Sequence, residues 1–177
     1  MTSPILYAGE IITADAWNAL TERLITQEND KTVTSATTGT TYVDSEITFT
    51  PEPNAVYRYM LLIGYSAYTT SDFKWQWNAA GATFASFTQA YYASAGIGFN
   101  TGSQVIFRRP GNTTTRIAGG ASDASNDVFL SAYDWGTFAT DGTDSPVTMQ
   151  FAQNSSSADP TILRGGNQTR MLYRRIR

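Results

Sequence analysis

From Thr41 onward the apolar side chains of this chain recur at every second position, in short runs separated by clusters of Gly, Pro, Asn, Asp and Ser. Two is the period of an extended strand, whose successive side chains point to opposite sides, so the pattern commits most of the chain to sheet. "FKWQWN" shows it plainly: Phe73, Trp75 and Trp77 share one side, and Lys74, Gln76 and Asn78 the other, as in a half-buried strand. "NAVYRYMLLIGYSAY" is apolar in both phases. Tyr57, Tyr59, Leu61, Ile63 and Tyr65 alternate with Val56, Arg58, Met60, Leu62 and Gly64, which predicts a central strand buried on both faces. Further strands are predicted at Glu46–Thr50, Thr83–Thr88, Gln104–Arg109, Thr114–Ile117, Val128–Tyr133, Val147–Gln153 and Met171–Ile176. Turn clusters such as "TPEPN", "RPGNT", "TDGTDSP" and "RGGNQT" separate them. Strands this short and evenly spaced, with no repeat of solenoid or propeller period, predict a β-sandwich or jelly roll.

Ahead of this region stands "AGEIITADAWNALTERLI", which reads as one short N-terminal α-helix. Thr13 is placed to cap it, Asp15 suits the positive end of the helix dipole, and Ile12 and Trp17 have the spacing of a hydrophobic staple. Trp17, Leu20 and Leu24 fall at i, i+3 and i+7 and form one narrow apolar stripe. A helix of roughly 14 residues is marginal alone in water, so the stripe needs a partner. It can pack back on its own β domain or meet another chain. The polar "TQENDKTVTSATTGTT" that follows resembles a linker or edge strand and favours the second. Ile12, Trp17, Leu20 and Leu24 are therefore the candidate oligomerisation or docking residues. The expected organisation is an arm and helix over 1–30, a linker or edge strand over 31–45, and a sandwich domain over 46–177.

The chemistry available is narrow. The 177 residues include no Cys and no His, so disulfides, Ser-His-Asp triads and His-containing metal sites are excluded. A net charge of −3 gives no general field for nucleic acid, and no apolar run approaches the length of a membrane-spanning helix. The opening "MTSPILYAGE" has neither a basic n-region nor a long h-region, so no secretory signal is expected. Only 15% of residues are charged, against about a quarter in ordinary soluble domains. Thr, Ser, Gly, Ala and Asn take up the difference, as in turn-rich β proteins.

Each remaining candidate has a plain structural alternative. The acidic stretch from Asp123 to Asp144 holds Asp127, Asp134 and Asp141, oxygen ligands of the kind calcium takes, but without an EF-hand spacing; Asx turns explain it as well. Glu46, Glu52, Asp72 and Asp134 are the carboxylates from which a glycosidase pair would have to come, and surface or turn positions account for them equally. "GIGFNTG" and "GGAS" read as turn glycines, since neither has the Lys-Ser/Thr ending of a phosphate loop. The basic end "NQTRMLYRRIR" reads as a closing strand whose arginines pair with carboxylates within or between chains. Tyr65, Tyr68, Trp75, Trp77, Tyr91 and Tyr92 concentrate in one third of the chain. They are candidate surface or interface aromatics that could stack on sugar, or core filler. No catalytic residue, cofactor or metal is expected.

The residues also carry a resemblance. "AGEIITADAWNAL" resembles the N-terminal segment of small virion structural proteins, of minor-tail or head-decoration type, from tailed phages of actinobacteria. "FTPEPNAVYRYMLLIGYSA", "DFKWQWNAAGATF" and "VTMQFAQNSSSADPTILRGGNQTRMLYRRI" follow in the family's order, and together these stretches cover most of the chain. The resemblance implies a mainly β, jelly-roll-like sandwich of the complement and tumour-necrosis-factor type behind the helix. It implies a non-enzymatic appendage of tail or capsid, often a homotrimer. Such a protein would be made in the host cytoplasm and carried on the virion surface, anchored by its helix to other virion proteins. A carbohydrate- or receptor-binding module directed at host surface glycan is the alternative. The resemblance brings no catalytic residues, no nucleic acid and no membrane insertion.

Overall fold

The alternation predicted for "VYRYMLLIGYS" is realised as β4 (Val56–Ser66), and it organises the fold. Tyr57, Tyr59, Leu61, Ile63 and Tyr65 are buried to within 5% of complete exclusion. The computed structural model describes residues 9, 11–14, 16–17, 21–35, 41–93, 103–108, 115–121 and 129–177, with backbone alone at 89–93 and 103–108. The other strands are β1 (Arg23–Thr26), β2 (Lys31–Val33), β3 (Val43–Phe49), β5 (Phe73–Asn78), β6 (Ala82–Ala93), β7 (Ser103–Arg108), β8 (Arg116–Ala118), β9 (Leu130–Thr140), β10 (Val147–Gln153), β11 (Thr161–Leu163) and β12 (Arg170–Arg175).

These strands form two antiparallel sheets. The larger runs β1-β12-β4-β9-β6-β7, with β11 joined to both β4 and β2; the smaller runs β3-β10-β5-β8. Their inner faces pack against each other through aromatic side chains from both sheets. Tyr65 stacks on Phe73 at 4.5 Å, Tyr59 meets Trp77 edge-on at 5.6 Å, and Phe49 lies 4.2 Å from Tyr173. Aromatic pairs at such separations add roughly 0.5–1.5 kcal/mol each beyond the area they bury, so this layer is a main source of stability.

Three expectations are corrected. β4 is buried on one face only: Met60 on its other face is 42% exposed, because no layer of the described residues covers that side. Arg23–Ile25, expected at the end of the helix, belong with Thr26 to edge strand β1 (Arg23–Thr26), pairing Leu24 with Leu172 and Ile25 with Met171 of β12. Leu24 thus belongs to the sheet and not to a helical stripe; the closing strand offers Arg23–Thr26 a full ladder, which outweighs a weak local helix preference. The short strand β11 was not predicted; β2, with which it pairs, falls within the linker or edge strand expected over 31–45. Farther upstream, Thr13 does cap: its hydroxyl accepts from the Ala16 amide at 3.2 Å, and its carbonyl from Trp17 at 2.9 Å. The described residues there carry this cap and a further helical bond, from the Thr21 amide to the Trp17 carbonyl at 3.0 Å; Asp15 and Leu20 lie outside them.

Candidate functional site

The carboxylates considered for chemistry are held by structural partners. Asp134, midway along β9, is completely buried and faces the inter-sheet layer. It accepts hydrogen bonds from Tyr59 Oη at 2.9 Å and Trp77 Nε1 at 3.0 Å, with a longer contact from Trp75 Nε1 at 3.5 Å. Arg116 of β8 brings its Nε to 2.9 Å, which ties the two sheets together by one buried ion pair, and its Nη2 donates to Ser86 Oγ. Burial pushes the Asp134 carboxyl up from its ordinary range, while the guanidinium and the three donors oppose that shift. Burial likewise raises the hydroxyls of Tyr59 and Tyr65 far above the ordinary tyrosine value. Asp134, Arg116, Tyr59, Trp75 and Trp77 are all buried, so the network is an internal clamp between the sheets.

The other acids sit in turns and loops, except Glu46, which is on β3. Asp72 is raised by burial and accepts from the Gly120 amide at 2.9 Å. Asp141 accepts from the Thr143 amide at 2.8 Å and from its hydroxyl, which lowers its carboxyl and makes an Asx turn. Glu46 accepts from the Glu28 amide at 2.6 Å, which lowers it, while its own amide donates to Gln27 Oε1 at 2.8 Å. Glu52 pairs with Arg175 at the end of the closing strand. Among the described residues no three acidic side chains converge as a metal site would require. Asp123 and Asp127 lie outside the described residues.

The aromatics singled out in the sequence divide between the core, its margin and positions whose side chains are not described. Tyr65, Trp75 and Trp77 are core residues, and Tyr68 is half-buried beside the bridge it makes to Ala121. Tyr91 and Tyr92 lie on β6, where the side chains are outside the described residues. Of the docking candidates, Ile12 and Trp17 are exposed upstream of the sheet, Trp17 by 60%, with Ile11 beside them at 87%. Leu24 is exposed on β1, and Leu20 lies outside the described residues.

What sequence reasoning missed is the outer face of the large sheet. The registers of β1, β12, β4, β9 and β6 set Leu24, Leu172, Met60, Trp135 and Phe87 side by side in one row across five strands. Phe87 and Trp135 stack at 6.1 Å within it. The neighbouring row brings Leu62 opposite Tyr133, and there a shallow cleft of about 270 Å³ opens, lined by Leu62, Phe129, Ser131, Tyr133, Gln168 and Arg170. Arg164 lies over the Phe129 ring at 4.6 Å. The outer face of the small sheet is the opposite in character. Gln150 bonds both Gln76 at 3.0 Å and Asp44 at 2.6 Å, and Thr48 bonds Thr148 at 2.7 Å, a polar ladder suited to water. The signal for the apolar face was present: β4 is apolar in both phases, but that pattern does not say what covers the second phase.

No protein-family profile matches the chain, and no curated protein matches it. Among solved structures it is similar to the VP2 subviral particle of infectious bursal disease virus, at 8% identity and a TM-score of 0.23, over 90% of this chain and 42% of that one. A mutant VP2 protein of the same virus, in derived T=1 particles, is similar at 12% identity and a TM-score of 0.24, over 86% of this chain and 39% of that one. The chain thus spans about two fifths of those proteins' length. Likenesses this distant carry no conclusion about this chain.

Proposed function

We propose that this chain is a non-enzymatic structural protein of a phage particle, a homotrimeric appendage of tail or capsid whose N-terminal segment is its means of assembly. The observation that carries the reading is the pair of exposed apolar surfaces: Ile11, Ile12 and Trp17 upstream of the sheet, and the row from Leu24 to Phe87 across it. A lone monomer has no use for apolar surface of that extent, which on soluble proteins marks interaction sites. The buried Asp134, Tyr59 and Tyr65 support the non-enzymatic part, because each is engaged by a hydrogen bond inside the core.

The strand order supports a jelly-roll reading. With the β6–β7 hairpin and the short β2 and β11 set aside, β1-β12-β4-β9 faces β3-β10-β5-β8. Successive strands from β3 to β5 then alternate between sheets, as two interlocked Greek keys require. Assignment to a particle rests on the sequence resemblance.

The test is solution mass by light scattering on the full chain and on a chain beginning at Thr21, which keeps β1. A trimer that becomes monomeric on truncation supports the reading. A monomeric full chain at micromolar concentration overturns it. Peptide mass spectrometry of purified particles then checks the virion assignment, and absence of this chain from them would remove it.

A further inference from the structure

The outer face of the large sheet and the N-terminal arm are complementary in two independent respects. The first is apolar. The face offers the row Leu24, Leu172, Met60, Trp135 and Phe87, with the cleft beside Tyr133 at its margin. The arm offers Ile11, Ile12 and Trp17, all exposed. The cleft holds about 270 Å³. That falls short of the roughly 300–1,000 Å³ of pockets that take drug-sized ligands and suits a single large side chain. Tryptophan is among the residues that most often anchor an interface by filling such a pocket.

The second is charge. At the outward positions of β12, β4, β9 and β6 stand Arg58, Arg170 and Arg174 and no carboxylate. Arg58 and Arg174 are direct cross-strand neighbours, and among the described residues neither forms an ion pair, unlike Arg116, Arg164 and Arg175. Like charges set opposite each other on a sheet are unfavourable unless an anion joins them. From Met1 to Glu22 the sequence carries Glu10, Asp15 and Glu22 and no Lys or Arg. A basic apolar face and an acidic apolar arm thus occur in a chain whose overall charge is only −3. The arm leads in sequence into β1, which begins at Arg23 beside Leu24, the first member of the row.

We propose that the outer face of the large sheet seats the N-terminal arm of a second copy of this chain, with Trp17 as the anchor in the cleft beside Tyr133 and the arm's carboxylates over Arg58 and Arg174. This rests on the oligomeric reading above and specifies its contact: the arm meets a neighbour's sheet, not a neighbour's arm. The absence of cysteine from the sequence provides a clean test. Full-length chains carrying Ala16→Cys are mixed with full-length chains carrying Ser131→Cys, which lines the cleft, and treated with a short bifunctional maleimide. Thr48→Cys, exposed on the outer face of the small sheet, serves as the control partner.

The expected result is a cross-linked heterodimer with Ser131→Cys, several-fold above the Thr48→Cys control, and its loss when Trp17→Ala is added to the Ala16→Cys chain. Because Trp17 is exposed, that substitution leaves the fold intact, and circular dichroism verifies it. Cross-links between two Ala16→Cys chains in place of the heterodimer, or equal yields with both partners, overturn the inference while light scattering still shows an oligomer. A cross-link formed within one chain carrying both cysteines, surviving dilution with no intermolecular product, also overturns it. A full chain that scatters as a monomer overturns the oligomeric reading itself and this inference with it.

Discussion

At the scale of single residues, Asp134 shows how a carboxylate whose sequence setting reads as a surface or turn position can instead be wholly buried in mid-strand. Asp134 accepts from Tyr59 and Trp77 and faces Arg116 across the inter-sheet layer. Removing one member of a buried ion pair leaves the other charge in a medium that cannot solvate it, which costs about 3–5 kcal/mol. Asp134→Asn is therefore expected to lower the unfolding free energy by that amount in urea titration, with no change in the oligomer once folded. A loss within experimental scatter would show that water or rearrangement compensates Arg116. Glu46 gives the matching prediction on the surface. The Glu28 amide holds its carboxyl below the ordinary glutamate value of 4.5, so the folded chain binds that proton less readily than the unfolded one. The stabilisation is complete above the unfolded value and is lost as pH falls through the lowered folded value. Glu46→Gln should consequently be less stable than the parent at neutral pH, and the gap between their urea midpoints should close in acid. A gap that stays constant with pH would mean that the charge is not what holds the loop.

At the scale of elements, β1 is the strand on which most depends. It covers the edge of β12, while Gln27 and Glu28 just beyond it lock onto Thr169 and Glu46. A chain beginning at Thr21 should keep one cooperative unfolding transition, whereas one beginning at Lys31 should unfold at clearly lower urea or fail to fold, since it bares an edge and orphans buried polar groups. Equal midpoints would show that β1 is dispensable. The contrast also explains what the sequence revealed. β5 and β10 were legible because six or seven residues suffice to display a period of two, as "FKWQWN" and "VTMQFAQ" do. β1, β2 and β11, with "RLIT", "KTV" and "TIL", are too short to display any period, and Leu24 fell by chance on the spacing of a helix. Trp75 and Trp77 were legible as a buried phase but not as donors to Asp134, a partner 57 positions away from Trp77 that only the fold brings near. The apolar second phase of β4 was legible as needing cover. Whether that cover is a layer of the same chain or another molecule is a tertiary fact that periodicity does not encode.

At the scale of the whole molecule, the two outer faces assign different fates to the two sheets. The small sheet's ladder of Asp44, Gln150 and Gln76 is at home in water, and the large sheet's row from Leu24 to Phe87 is not. If an acidic arm lies over Arg58 and Arg174 while Trp17 fills the cleft, the contact has a charged rim around an apolar centre, and salt should act on only one of them. Exposed charges are screened over about 10 Å at 0.1 M ionic strength and about 3 Å at 1 M, whereas apolar burial is not weakened by added salt of this kind. The dissociation constant of the oligomer, followed by light scattering over dilution series, should accordingly rise between about 0.02 M and about 0.2 M sodium chloride and then level off. Arg58→Gln with Arg174→Gln should flatten that rise and leave the high-salt plateau nearly in place, because the row and the cleft are untouched. A constant that keeps rising at high salt would instead describe a contact made of charge alone. One that ignores salt altogether in the parent chain would remove the arginines from the interface and leave the apolar row to account for assembly by itself.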